Sequence, residues 1–184
     1  MEIIRCGWCE KDDLYRTYHD EEWGKPVYDD ETIFQFLVLE SFQAGLSWHT
    51  ILKKRENFTA AFENFDSKKI ANYAEDKVEA LMNDAGIVRN RLKILATINN
   101  AQRFQEVQEE FGTFSNYIWN FVDGNSIINY PKVLSDVPAT TEISDALAKD
   151  LKERGFKFLG STVMYAHMQA TGMVNDHLVD CHCK

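Results

Sequence analysis

The chain of 184 residues has no apolar run that approaches the roughly 20 residues of a membrane-spanning helix. It also lacks an internal repeat, a low-complexity tract and a linker rich in Pro, Gly or Ser. Its first five residues carry no apolar run of the signal-peptide kind, which favours a reducing cytoplasm. We therefore expect one soluble globular domain over residues 1–184, without a membrane partner. We also expect a monomer, because nothing in the sequence calls for a dimer.

Positive charge is scarce, since 20 Lys and Arg stand against 29 Asp and Glu and give a net charge of −9. This balance alone argues against a nucleic-acid partner. The distribution of charged residues along the chain weakens that argument, because no acidic residue lies between Asp84 and Glu106. The basic residues inside that stretch are Arg89, Arg91, Lys93 and Arg103. A local basic face can bind a phosphate backbone, and ordinary solvated helix faces are the alternative.

Alternation of the strand type is weak, and helical periodicity dominates. Apolar residues recur at helical spacing in four segments, around 33–38, 94–101, 143–151 and 163–170. Asp29 and Asp30 are capping candidates for the first of these helices, and Gly155 and Gly172 are stop signals for the last two. The best short strand candidate is 126–130. The sequence therefore predicts an all-α fold.

The segment 75–103 has the outline of a helix-hairpin-helix. A short helix over 75–82 precedes a turn that contains Gly86, and a longer helix begins near Leu92. In that motif the backbone N–H groups of the hairpin and of the next helix bind a DNA phosphate. Gly86, Arg89 and Arg91 are therefore candidate DNA contacts. The usual second hairpin glycine is missing, and helix pairs joined by a turn are common elsewhere.

Cysteine and histidine are concentrated near the two ends of the chain. Cys6 and His19 stand near the start, and His177 and Cys181 would share one face if they lay on a helix. Two nitrogens and two thiolates suit a closed structural Zn²⁺ site. Three alternatives stay open at this point: two disulfides, an all-thiolate site that includes Cys9 and Cys183, and free thiols.

A carboxylate interrupts an otherwise apolar helix. Glu40 falls on the same line of the predicted helix as Ile33, Phe36 and Leu37, so it should be buried. A buried carboxylate is costly unless something binds it. It either has a partner within the protein or serves a site that receives a hydrogen-bond donor or a cation.

Aromatic residues surround this position in the sequence. After Glu40 the predicted helix breaks at Gly45 and the chain presents Trp48, an exposed-aromatic candidate. The N-terminal segment adds Trp8, Tyr15, Tyr18 and Trp23, of which we assign at least Trp23 to the core. An anion beside several aromatic faces is what a positively charged planar ligand needs.

These residues together resemble a known family, the bacterial 3-methyladenine DNA glycosylase I enzymes. The resemblance covers nearly the whole chain in order. Its motifs are Cys6-Gly-Trp8, Tyr18-His19-Asp-x-x-Trp23-Gly, Glu40-x-x-Gln43-Ala-Gly-Leu-Ser-Trp48, Ile51-Leu-Lys-Lys-Arg-Glu-Asn, Arg154-Gly-Phe-Lys-Phe and Val174-Asn-Asp-His177. Two positions depart from the pattern: Phe42 stands where relatives are polar, and Leu92 where some carry glycine.

The resemblance implies a helix-hairpin-helix glycosylase fold in which one structural Zn²⁺ joins the termini. The implied ligands are Cys6, His19, His177 and Cys181. The implied base pocket is lined by Trp8, Tyr15, Tyr18, Glu40 and Trp48. The implied loop that enters the duplex contains Gly45 and Leu46.

The resemblance also implies an activity and its partners. The enzyme would flip 3-methyladenine out of double-stranded DNA in the bacterial cytoplasm, excise it by hydrolysis without a lyase step, and release the free base. Glu40 would recognise the base, and would be catalytic only by that route. The rival interpretations are a glycosylase of broader range and a catalytically silent module that binds damaged DNA.

Overall fold

The computed structural model describes residues 3–184, so Met1 and Glu2 of the predicted domain lie outside the described part. The protein is mainly helical, as the sequence predicts. The helices of the described part are α1 (Asp13–Glu21), α2 (Asp30–Gln43), α3 (Trp48–Ala61), α4 (Ser67–Ile70), α5 (Glu75–Met82), α6 (Arg91–Phe111), α7 (Phe114–Trp119), α8 (Glu142–Glu153) and α9 (Ser161–Ala170). From residue 3 onward, no helix is long and apolar enough to cross a membrane.

The strand candidate forms half of a minimal sheet. Strand β1 (Ile127–Ile128) pairs in parallel with β2 (Val174–Asn175), and Ile127 lies opposite Val174. This pairing holds the segment that follows α9 against the middle of the chain. It thereby fixes the direction in which the C-terminal residues leave the fold.

Helix α2 runs through the centre of the molecule and packs against α3, α6, α7 and α9. Neighbours on several sides explain why the helix is apolar nearly all round. Its N-terminus is capped as predicted, since the Asp29 carboxylate accepts a hydrogen bond from the Thr32 N–H at 2.8 Å. At its other end Phe42 is fully buried, and its ring lies 5.0 Å from that of Phe58 and 5.9 Å from that of Phe62. Phe42 is therefore a core residue.

Two residues after the end of α9 stands a glycine that no other residue can replace without a steric clash. Gly172 has a φ of +67°, and a Cβ added there would lie 2.2 Å from the backbone carbonyl carbon of Lys25. No other residue fits this close approach between the end of α9 and the loop after α1. The sequence correctly placed the end of this helix at Gly172.

Helices α5 and α6 follow one another across a turn, which is the order of elements that the sequence predicts for 75–103. Helix α6 begins at Arg91, close to the predicted start, and Asn90 caps it by accepting a hydrogen bond from the Lys93 N–H at 3.2 Å. The hairpin packs on α3, because Gly86 O accepts hydrogen bonds from the side chains of Lys54 and Asn57. A Cβ at Gly86 would crowd Asn57 at 3.1 Å, which explains the glycine at this position.

Candidate functional site

A cavity of about 390 Å³ opens between the N-terminal segment, α2, the start of α3 and α9. All five residues predicted to line a base pocket line this cavity. They are Trp8, Tyr15, Tyr18, Glu40 and Trp48. Helix α1 supplies the two tyrosines at a spacing of three residues, which places both on one helix face. The structure thus brings together residues that lie up to forty positions apart in the chain.

The aromatic side chains form a connected wall. The ring centroid of Trp8 lies 4.9 Å from that of Tyr15 and 6.4 Å from that of Tyr18. Tyr18 in turn lies 5.5 Å from Trp48. Such spacings are typical of packed aromatic pairs. Several aromatic rings therefore border the space available to one planar ligand.

Glu40 lies in this wall with only 4% of its surface exposed. Its Oε2 is buried and has no hydrogen-bond partner among residues 3–184. Burial raises the pKa of the Glu40 carboxyl from its ordinary 4.5 to about 8. The alternative of a partner within the protein does not hold for this oxygen. Glu40 thus offers a free acceptor at the edge of an aromatic cavity.

Trp48 is not the exposed residue that its position after a glycine turn suggested. Only 9% of its surface is exposed, and its ring faces Tyr18 and Phe36. Its indole Nε1 is buried without a partner in the described chain. The cavity therefore holds an unused donor as well as an unused acceptor. Trp23, which we assigned to the core, is half-buried and lines the same cavity.

The opposite wall of the cavity was missed by the sequence analysis. It consists of the segment before α8 and one face of α9 with the chain that follows, namely Leu134, Val137, Pro138, Ala139, Thr162, Tyr165, Ala166, Gln169, Asp176 and Leu178. Asp176 is the second buried carboxylate of the cavity, but its bonds are complete. It accepts hydrogen bonds from Tyr165 Oη at 2.6 Å, Gln169 Nε2 at 2.8 Å and Asn129 Nδ2 at 2.7 Å. The spacing of Tyr165 and Gln169 on α9 was the available signal.

The four predicted metal ligands converge beside this cavity and are all buried. The ligand atoms of Cys6, His19, His177 and Cys181 lie within 4.8 Å of one another. His177 Nδ1 is 3.2 Å from His19 Nε2, and Cys181 Sγ is 3.5 Å from each of these nitrogens. Around a tetrahedral Zn²⁺, two nitrogens are about 3.3 Å apart, and a sulfur is about 3.6 Å from a nitrogen. The cluster therefore fits a metal ion of this size.

The outer nitrogens of both histidines support the same conclusion. His19 Nδ1 lies 2.7 Å from the Asp20 carboxylate, and His177 Nε2 lies 3.0 Å from the Trp23 carbonyl oxygen. Because carboxylate and carbonyl oxygens only accept, each of these ring nitrogens donates and leaves the other nitrogen free to bind a metal. Burial also lowers the pKa of His177 to about 4, which keeps its imidazole neutral.

The structure shows the backbone of this cluster and speaks against one of the alternatives for its cysteines. His177 and Cys181 do not lie on a helix, because the chain after β2 runs through irregular turns. All four cysteines are free, so the disulfide alternative is not observed. Cys9 Sγ donates to the Cys6 carbonyl oxygen at 3.0 Å, and Cys183 lies with His182 beside Asp20.

The basic residues around the hairpin differ in their exposure and in their hydrogen-bond and ion-pair partners. Arg89 is exposed and has no ion-pair partner within residues 3–184. Arg91 binds Glu75 and Glu79 of α5, which raises the pKa of its guanidinium. Lys93 is buried and donates to the carbonyl oxygens of Phe42 and Ala44, both at 2.9 Å. The basic surface of this stretch is therefore smaller than its sequence suggests.

The loop between α2 and α3 projects from the surface next to the cavity. Residues 44–47 are all exposed, and Leu46 keeps 42% of its surface in solvent. Gly45 has a φ of +81° with open space around it, so backbone conformation rather than crowding favours glycine there. Gly45 and Leu46 thus form an apolar tip beside the entrance to the aromatic cavity.

Comparisons with known proteins agree with this geometry. The sequence model of the methyladenine glycosylase family matches residues 8–184. The DNA-3-methyladenine glycosylase 1 of Escherichia coli is 49% identical over 97% of this chain and 96% of its own length. The DNA-3-methyladenine glycosylase of Haemophilus influenzae is 46% identical over 98% of this chain and 97% of its own length.

A solved structure extends the agreement to the fold. The 3-methyladenine DNA glycosylase I of Staphylococcus aureus, solved to explain 3-methyladenine recognition, matches with a TM-score of 0.95 at 38% identity. That match covers 98% of this chain and 96% of the other. Family, relatives and fold converge on one assignment: this chain is an enzyme of the methyladenine glycosylase family, the glycosylases that cleave N-glycosyl bonds.

Proposed function

We propose that this enzyme removes 3-methyladenine from alkylated double-stranded DNA by hydrolysis and releases the free base. The observation that carries the proposal is Glu40 Oε2, a buried acceptor without a partner in an aromatic cavity. The names of the relatives point to the same substrate. Methylation at N3 gives the adenine a positive charge and weakens its bond to deoxyribose, so the leaving group is already good.

Charge selection follows from the burial of Glu40. Because burial raises its pKa to about 8, the Glu40 carboxyl is mostly protonated at neutral pH when no cation lies beside it. A cationic base favours the carboxylate form, and the two charges stabilise each other away from water. A neutral adenine offers no such compensation. The pocket therefore selects the charged base, while stacking on Trp48 and the tyrosines holds its plane.

The side chains of the cavity favour hydrolysis over a lyase mechanism. A lyase step needs an amine that attacks the sugar carbon, and no lysine lines the cavity in the part of the chain from residue 3. Because the leaving group is good, a strong general base is not required. In this proposal Glu40 binds the base, and water attacks the deoxyribose.

DNA binding is assigned to the surface that surrounds the cavity entrance. Leu46 at the exposed tip fills the gap that the flipped nucleotide leaves, and Gly45 gives the loop its turn. The hairpin around Gly86, treated as a helix-hairpin-helix, binds a phosphate through backbone N–H groups, with Arg89 as the free cation. Arg91 must leave Glu75 and Glu79 before it can contribute.

We assign Zn²⁺ to the cluster of Cys6, His19, His177 and Cys181. Four protein ligands make a closed site with no open position for water or substrate, which is typical of structural zinc. The ion would supply a cross-link between the two ends of the chain. All base recognition remains with the aromatic cavity.

Incubation of the protein with methylated DNA, followed by chromatography of the released bases, tests the activity. We expect 3-methyladenine as the main product. Tight binding of the DNA without base release would instead support a silent binding module. Release of neutral hypoxanthine at a similar rate would support a glycosylase of broader range, because a pocket built on Glu40 selects a cation.

Titration of free 3-methyladenine tests the role of Glu40 and Trp48. Glu40→Gln keeps the shape of the side chain, and we expect it to weaken binding by roughly 1.5–3 kcal/mol, the range for a hydrogen bond to a charged group. Trp48→Ala removes a stacking partner and should cost about 1–3 kcal/mol. Leu92→Ala is a control outside the cavity. Wild-type affinity in the folded Glu40→Gln protein would refute the assignment.

A further inference from the structure

A buried histidine and an aspartate lie just outside the aromatic cavity and are not used by the proposed mechanism. His49 follows Trp48 in the first turn of α3 and exposes only 4% of its surface. Its Nε2 lies 2.6 Å from Asp12 Oδ2. Because a carboxylate only accepts, the imidazole N–H donates this short, charge-assisted bond.

Asp12 has a second bond that ties it to the cavity wall. As the N-cap of α1, its Oδ1 accepts a hydrogen bond from the Tyr15 N–H at 3.0 Å. One carboxylate therefore holds the start of α1 with one oxygen and the start of α3 with the other. Within residues 3–184, the bond between His49 and Asp12 is the side-chain hydrogen bond that joins the start of α3 to the start of α1.

The His49 ring also supports Tyr15 from outside the cavity. The two rings are stacked with centroids 5.0 Å apart and an angle of 29° between their planes. Tyr15 also packs edge-to-face with Trp8, whose ring centroid lies 4.9 Å away. Tyr15 thus contacts both a cavity residue and a residue of the helix that follows the exposed loop.

We propose that His49 and Asp12 are positioning residues that couple the exposed loop 44–47 to the aromatic wall of the base pocket. This inference rests on the proposed function. The loop ends at Ser47, which caps α3, so a force on the loop reaches His49 within two residues. When DNA displaces the loop, α3 begins to move, and the bond to Asp12 carries that movement to Tyr15. Insertion into the duplex and closure around the base then occur together.

A short hydrogen bond is better suited than an apolar contact to couple the movements of α1 and α3. An apolar contact between α1 and α3 would tolerate sliding, because hydrophobic contacts have no preferred direction. A short bond between an imidazole N–H and a carboxylate fixes both distance and angle. A displacement of α3 is therefore passed to α1 more completely by this hydrogen bond than by apolar packing alone. Neither His49 nor Asp12 lines the cavity.

Three single variants separate the bond from stacking and capping. His49→Phe keeps a ring beside Tyr15 but cannot donate to Asp12. Asp12→Ser keeps a good N-cap but is too short to reach His49 as well. His49→Gln restores a donor without the ring. We measure single-turnover excision from methylated DNA, affinity for undamaged duplex, and thermal midpoints in each protein.

We expect His49→Phe and Asp12→Ser to slow excision about tenfold while affinity for undamaged DNA changes less than about twofold. The double variant should be no slower than the slower single variant, because both changes remove the same bond. His49→Gln should recover excision to within about threefold of wild type. A merely structural pair would lower the thermal midpoint and leave the excision rate of the folded protein unchanged.

Two outcomes would overturn the inference while leaving the proposed function intact. One is excision at the wild-type rate by folded His49→Phe. The other is additive loss in the double variant, which would show that the residues act separately. Failure of the wild-type protein to release any base would count against the proposed function itself and is therefore distinguishable.

Discussion

Glu40 contributes to the cavity at a cost in stability. The folded protein holds its pKa near 8, whereas an unfolded chain restores the ordinary value of 4.5. Below both values the carboxyl is protonated in either state, and the fold loses nothing. As the pH rises from about 4.5 to 8, the unfolded chain ionises while the folded protein does not, so stability falls across that window.

We therefore predict that Glu40→Gln stabilises the protein, and that the gain grows with pH. The difference in unfolding free energy between variant and wild type should rise by up to about 1.4 kcal/mol per pH unit between pH 5 and 8. Above pH 8 it should level off. Urea unfolding of both proteins across this range gives the difference directly.

Glu109→Gln is the matched control for this experiment, since Glu109 is exposed on α6. Its difference from wild type should show no comparable rise with pH. A flat difference for Glu40→Gln as well would mean that Glu40 has an ionised partner in the folded protein.

The place of Glu40 could be predicted from the sequence because helical periodicity is local information. Its neighbours at three and four positions already show that it points into the core. The opposite wall of the cavity could not be predicted in this way. Leu134 and Tyr165 come together with Glu40 only through tertiary packing. The spacing of Tyr165 and Gln169 predicts that they share a helix face, but it does not predict what that face meets.

At the scale of elements, the hairpin shows how a basic sequence stretch can overstate a basic surface. Lys93 donates to two carbonyl oxygens at the C-terminal end of α2, where a cation is favoured by the helix dipole. Its partners lie 51 and 49 positions earlier in the chain, so no sequence window reveals them. The same holds for Arg91, whose partners lie on α5.

We predict that Arg89, and not Arg91, dominates the salt dependence of DNA binding. Arg89→Ala removes a free cation and should reduce the slope of log affinity against log salt by about 0.9. Affinity should fall about equally for different DNA sequences, because a phosphate contact carries no sequence information. Titrations of undamaged duplex at several salt concentrations measure the slope.

Arg91→Ala provides the comparison within the same hairpin. It breaks the ion pairs with Glu75 and Glu79, and we expect a smaller change in slope than for Arg89→Ala. An equal or larger change would mean that Arg91 exchanges its glutamates for phosphates on binding. An unchanged slope in both variants would place the phosphate contacts elsewhere, with the basic residues at 152–157 the next to test.

Element boundaries were predictable where a local signal exists. The Asp29 cap and the glycines that follow α8 and α9 all placed helix ends correctly. His177 and Cys181, which would share one face on a helix, converge without one, because a spacing of four residues is equally compatible with a turn that folds both side chains toward one point. The spacing of candidate metal ligands predicts that their side chains meet at one point, but it does not predict the backbone conformation between them.

At the scale of the whole molecule, the cluster joins residues that lie 171 positions apart, Cys6 and His177. We predict one Zn²⁺ per chain in protein purified without a chelator. Cys181→Ser should lose the ion and lower the thermal midpoint by about 10 °C or more, because metal binding and folding are coupled. Elemental analysis and thermal melts measure both.

Cys183→Ser is the control, since Cys183 lies outside the four converging ligands. It should keep one ion per chain and melt close to wild type. Full zinc content in Cys181→Ser, together with loss of zinc in Cys183→Ser, would reassign the fourth ligand.

The four converging ligands also determine what a break in the chain would do. A protease that nicks the exposed segment 132–136 divides the chain into two fragments, and each fragment keeps two of the four ligands. A Zn²⁺ held by these ligands would then link two fragments that no longer share a covalent bond. We expect the nicked protein to migrate as one species under native conditions and to come apart when a strong chelator is added. The linked fragments should still excise the damaged base from alkylated DNA, because both of them contribute residues to the cavity.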